Sequence, residues 1–175
     1  MGVFSEAKKA RAAGGPRVYF VPGNYLLAIT KTSFKETRKK LDVFAPEFSV
    51  VSFDRVESSP EIPPTPGSFC NWATLSSSDM FWSNIKSYTM ALAGMDDEDK
   101  FDKIVSEDAY EAFCEAVTGV DQVSTGWHIK AQCLGTEGDD GVVRVFPKWI
   151  GVPLEEQPEA VRPKMLEVFK SLVGA

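Results

Sequence analysis

Apolar and polar residues alternate with a period of two along much of this chain, and helical spacing intervenes in the middle and near the end. Tyr25, Leu27 and Ile29 alternate with Leu26, Ala28 and Thr30, which predicts a strand with little polarity on either face. Val43-Phe44 and then Phe48 to Val56 predict a second strand. Phe48, Val50 and Ser52 fall on one of its faces, and Ser49, Val51, Phe53 and Arg55 on the other. Prolines at 60, 63, 64 and 66 make the next stretch a loop, and Ser68 to Thr74 is a short aromatic third strand. Ser78 is the expected N-cap of a helix with Asp79 in its first turn, carrying Phe81, Ile85, Tyr88 or Thr89, and Leu92 at helical spacing and stopping at Gly94. Asp96 to Asp102 reads as an acidic loop. Ser106 caps a second helix with Ala109, Tyr110, Phe113, Ala116 and Val117 on one face. Trp127, Ile129, Ala131 and Cys133 alternate with His128, Lys130 and Gln132 as a fourth strand. A hairpin loop over 135–141 leads to a fifth strand, Val142 to Trp149, where Pro147 requires an edge position near the strand's end. Pro158 to Gly174 is a terminal helix with a wide apolar stripe of Val161, Met165, Leu166, Phe169, Leu172 and Val173.

Three strands, two helices and two strands is the order of a five-stranded OB-like barrel with a helical insert between strands 3 and 4. The expected fold class is therefore β-rich α+β, with a C-terminal helix added. The expected organisation is an N-terminal arm over 1–16, an OB-like domain over 17–153 with its helical insert at about 78–118, and the helix over 154–175. In such a barrel a ligand lies across strands 2 and 3, flanked by the loop joining strands 1 and 2 and the hairpin loop joining strands 4 and 5.

Charge sharpens this picture. The chain has 175 residues and a net charge of −6. Residues 1–56 nevertheless hold ten lysines and arginines against five acids, whereas residues 57–175 hold nine against twenty. The two parts present opposite fields, so the average says little about where a polyanion lands. The run Lys31-Thr32-Ser33-Phe34-Lys35-Glu36-Thr37-Arg38-Lys39-Lys40 concentrates five cations around one ring. It is expected to be a loop between the first two strands. Cations for phosphates and a π-face for a base are what an unpaired nucleic-acid strand requires. The candidate contacts are Lys31, Phe34, Lys35, Arg38, Lys39 and Lys40 from this run, with Phe53 and Arg55 on the second strand, Lys130 on the fourth and Arg144, Phe146 and Lys148 on the fifth. Phe34 either stacks on a base or folds back onto the barrel. Trp127 and Trp149 lie on core faces, Trp72 and Trp82 suit core or surface equally, and Tyr25 either packs or stacks.

Three cysteines without C-x-x-C spacing and a single histidine give no zinc pattern and suit a reducing cytoplasm. No glycine-rich phosphate loop, nucleophile elbow or calcium-loop spacing is present, so neither an enzyme nor a cofactor is expected. No apolar run reaches the length of a membrane span, and no signal-peptide core is expected at the amino terminus.

Pro22-Gly23-Asn24-Tyr25 leading a strand, then the Lys-rich run, then Phe48-Ser49-Val50-Val51-Ser52-Phe53, resembles the opening of bacteriophage single-stranded-DNA-binding proteins with an OB-fold. Phe81-Trp82-Ser83-Asn84-Ile85-Lys86 with Leu92-Ala93-Gly94 is similar to the helical insert many of them carry, and the hairpin from Trp127 to Trp149 is compatible. The resemblance implies binding of single-stranded DNA in phage replication or recombination, inside the host cytoplasm. The ending Phe169 to Ala175 departs from the acidic tail with which many such proteins recruit replication partners. The function expected is protection of single-stranded DNA with little sequence preference, by phosphate pairing and base stacking. RNA is a possible ligand, and the terminal helix a possible route to a homo-oligomer. The alternatives are a protein-interaction module such as a phage accessory factor or inhibitor, and a virion structural component.

Overall fold

A computed structural model describes residues 20–56 and 62–174. The described chain is an α+β protein built on a six-stranded antiparallel sheet with four helices. The strands are β1 (Gly23–Glu36), β2 (Asp42–Arg55), β3 (Phe69–Asn71), β4 (Thr74–Leu75), β5 (His128–Glu137) and β6 (Val143–Gly151). The helices are α1 (Phe81–Leu92), α2 (Glu98–Ile104), α3 (Glu107–Thr118) and α4 (Arg162–Val173). The sheet runs in the order β3-β2-β1-β5-β6, with β4 also pairing β2. The expected N-terminal arm lies outside the described residues.

The segment expected as a basic loop is mostly strand. β1 continues to Glu36, and only Thr37 to Lys40 turn. The cause is a bulge at Thr30, which faces no partner on β2. The bulge restarts the alternation, so Lys31, Ser33 and Lys35 point to one face and Thr32 and Phe34 to the other. A matching bulge at Val51 turns Phe53 onto the core face, opposite Tyr25, with ring centroids 4.6 Å apart. Gly23 makes the approach of these strands possible. Its φ is 155°, and a Cβ there would land on the Phe53 ring.

The sheet does not close. No backbone pairing joins β3 or β4 to β6 among the described residues, so the expected five-stranded barrel is replaced by an open sheet. It is strongly curled all the same. Phe48 on β2 and Trp149 on β6 are separated by two intervening strands, which a flat sheet would hold about 14 Å apart. Their rings are 5.4 Å apart, and Trp72, just after β3, meets Trp149 at 5.3 Å. The two edges thus meet through side chains rather than a ladder. α1 fills the mouth between them. Its Tyr88 is fully buried against Phe44, Phe48, Trp72 and Trp149. At Gly151 a Cβ would come within 2.8 Å of the Ala91 carbonyl, so a side chain there would push α1 off β6.

Several local expectations shift. α1 begins at Phe81, leaving Asp79 before the helix, while Ser78 Oγ accepts the Met80 N–H at 3.2 Å. The acidic stretch forms α2, because Asp97 accepts the Lys100 N–H at 3.0 Å as an N-cap. Ser106 caps α3 as expected. The third strand is two short pieces, β3 and β4, and Pro147 sits on an edge strand but in its middle. α4 ends at Gly174 in the left-handed region, φ 67°. Its stripe packs inward: Met165 and Leu172 are buried, and Phe169 stands 6.1 Å from Phe113 on α3 and 5.4 Å from Trp127.

Candidate nucleic-acid interface

The β1–β2 hairpin projects three consecutive cations at its tip. Thr37 closes the turn: its N–H donates to the Leu41 carbonyl at 2.7 Å, its carbonyl accepts the Lys40 N–H at 2.9 Å, and its Oγ1 accepts the Leu41 N–H at 3.2 Å. Arg38, Lys39 and Lys40 are left exposed between these bonds, with Lys40 in the left-handed region at φ 58°. Lys31 and Lys35 are exposed on the adjoining stretch of β1, opposite Glu47 and Val43. None of these five cations takes part in an ion pair among the described residues. Phe34 lies among them at 45% exposure, its ring 6.3 Å from that of buried Phe81. It thus leans on the body of the protein and still offers a face to solvent.

The edge of β1 is open here. β5 pairs β1 only as far as Ala28, opposite His128. Ile29 still donates to the Trp127 carbonyl at 2.9 Å and accepts the Gly126 N–H at 2.7 Å, and past it Gln122 substitutes for a strand. Its Oε1 accepts the Thr32 N–H at 2.7 Å and its Nε2 donates to the Thr32 carbonyl at 2.9 Å. Beyond Thr32 no backbone partner stands on that side among the described residues.

The remaining candidates gather elsewhere. Arg55 faces Gly23, Gly23 faces Cys133, and Cys133 faces Pro147, so these residues form one row across the start of β1. At about 3.3 Å per residue, that row and the hairpin tip are at opposite ends of the β1–β2 ribbon. The row carries Phe53, Arg55, Phe146 and Lys148 near it, and the chemistry expected of some members is spent. Phe53 packs on Tyr25. Arg144 forms a two-pronged pair with Asp140, Nη1–Oδ1 at 3.0 Å and Nη2–Oδ2 at 2.7 Å, which holds the Asp140 carboxyl below its usual range. Lys130 lies 3.9 Å from Glu156. Phe146 (60% exposed) faces Leu134 across the hairpin, and Lys148 faces Gln132. Arg144 and Lys130 therefore do not join the unpaired cations of the tip.

Tyr25 is buried, as are Trp127 and Trp149, and Trp72 is half-buried. Trp82 is 68% exposed. Its sequence position carried the signal, since it is one residue off the inward stripe of α1. No group of three metal-binding side chains, and no helix long and apolar enough to cross a membrane, occurs among the described residues. Neither a protein-family model nor a curated protein matches this sequence.

Proposed function

We propose that this chain binds single-stranded DNA with little sequence preference and holds it without performing chemistry. The observation that supports this most is the hairpin tip and β1 edge, where five cations without an ion pair among the described residues stand near one half-exposed ring. Such a surface neutralises successive phosphates and offers a base a stacking face, neither of which requires a particular sequence. The strand order adds support. We read β3-β2-β1-β5-β6, with helices inserted before β5, as the strand order of an OB-like barrel left open between β3 and β6. The setting we propose, from the resemblance to phage proteins, is protection of unpaired strands during replication or recombination.

A gel-shift titration with an oligo(dT) strand tests the reading. A shift that weakens steeply with salt is expected, and absence of a shift at low salt overturns it. A second reading, a protein-interaction module, is favoured by the α2–α3 surface, where Asp96, Asp97, Asp99, Glu107, Asp108, Glu111 and Glu115 are all exposed. It predicts no shift and a cationic protein partner instead.

A further inference from the structure

We infer that Trp82 of α1, with Phe34, forms the base-stacking platform for the bound strand, so that the strand passes from the hairpin cations onto the outer face of α1. The inference rests on the proposed binding of single-stranded DNA and adds to it a second ring and a path. Phe81 is buried and joins the two exposed rings: its centroid is 6.3 Å from that of Phe34 and 4.8 Å from that of Trp82, in an edge-on contact. Both rings are therefore held by one fixed support, which spares the entropy of ordering them on binding.

A large ring at 68% exposure, linked through Phe81 to the ring of the cation-rich segment, suits an anionic, aromatic ligand rather than an apolar protein surface. Because no backbone partner stands on the β5 side of β1 beyond Thr32 among the described residues, a strand crossing that edge meets Lys31 and Lys35 from one face and Phe34 from the other. Glu36, Asp42 and Glu47 are the acids on the same stretch of the β1–β2 hairpin, fewer than its five cations.

The chain supplies its own reporter. Of the four tryptophans, Trp127 and Trp149 are buried and Trp72 packs on Tyr88 and Trp149, so quenching by a stacked base falls on Trp82. The experiment is a titration of the full chain with oligo(dT), read by intrinsic fluorescence and, in parallel, by anisotropy of a labelled strand. The wild-type emission is expected to fall as the strand binds. Trp82→Ala is expected to abolish that fall and weaken binding about tenfold or more. Trp82→Phe, which keeps a ring on Phe81, is expected to lose the quench and retain most of the affinity. Wild-type anisotropy that rises with unchanged emission, or Trp82→Ala that binds as tightly as wild type, overturns the platform and leaves the DNA-binding reading standing. No anisotropy change with the wild-type chain overturns both.

Discussion

Lys40 is held in a backbone conformation that side chains resist, at the point where the proposed ligand arrives. Left-handed backbone costs a non-glycine residue roughly 1–2 kcal/mol, and three-residue hairpin loops usually place glycine there. Lys40→Gly should therefore raise stability by about 0.5–1 kcal/mol, after the extra freedom glycine gives the unfolded chain. The same change should lower the salt dependence of DNA binding by about one charge. Thermal unfolding and a salt titration on one variant check both. Unchanged binding would remove Lys40 from the site, and unchanged stability would remove the strain. His128 supplies a pH dependence. Burial holds its imidazole below the ordinary pKa of 6.5. The unfolded chain therefore takes up this proton first as the solution is acidified. The stability present above pH 6.5 declines as pH falls through the lowered folded value. His128→Gln should flatten the unfolding profile in that window, measured by denaturant titration at successive pH values.

The elements show why sequence reading reached some sites and missed others. Helix α3 was legible because Ser106 is a strong cap followed by Glu107 and Asp108 and an inward apolar face. The faces of β6 were legible from strict alternation: Trp149 is buried while Arg144, Phe146 and Lys148 are exposed. Bulges defeated the reading of β1 and β2, because one extra residue at Thr30 and at Val51 inverts every face beyond it. Nor did the sequence reveal the two glutamines that stand in for strands. Gln157, buried on the 3-10 turn side of α4, accepts the His128 N–H at 2.7 Å and donates to the His128 carbonyl at 2.8 Å. A glutamine at a loop position carries no pattern that marks such a clamp. Gln157→Leu keeps much of the volume and leaves both backbone groups without that partner, which should cost about 2–4 kcal/mol. Urea unfolding measures this, and a loss under 1 kcal/mol would show the clamp to be dispensable.

At the scale of the molecule, charge and curvature divide the labour. The acidic helix α2 carries its own pairing, where Lys86 of α1 bridges Glu98 at 2.7 Å and Asp102 at 2.9 Å. The tip cations have no such partners among the described residues, so they remain available for phosphates despite a net charge of −6. The α+β class could be anticipated from alternation and element order. The open edge between β3 and β6 could not, because side chains from distant strands, Trp72 and Trp149, join those edges instead of a ladder. The most direct measurement is the salt dependence of oligo(dT) affinity for the wild-type chain beside a variant with Lys35, Arg38, Lys39 and Lys40 replaced by alanine. Each phosphate neutralised contributes about 0.7 to the slope for a single strand. A steep wild-type slope that loses several charges in the variant is the predicted result, and equal slopes, or a wild-type chain that does not bind at low salt, would contradict the account.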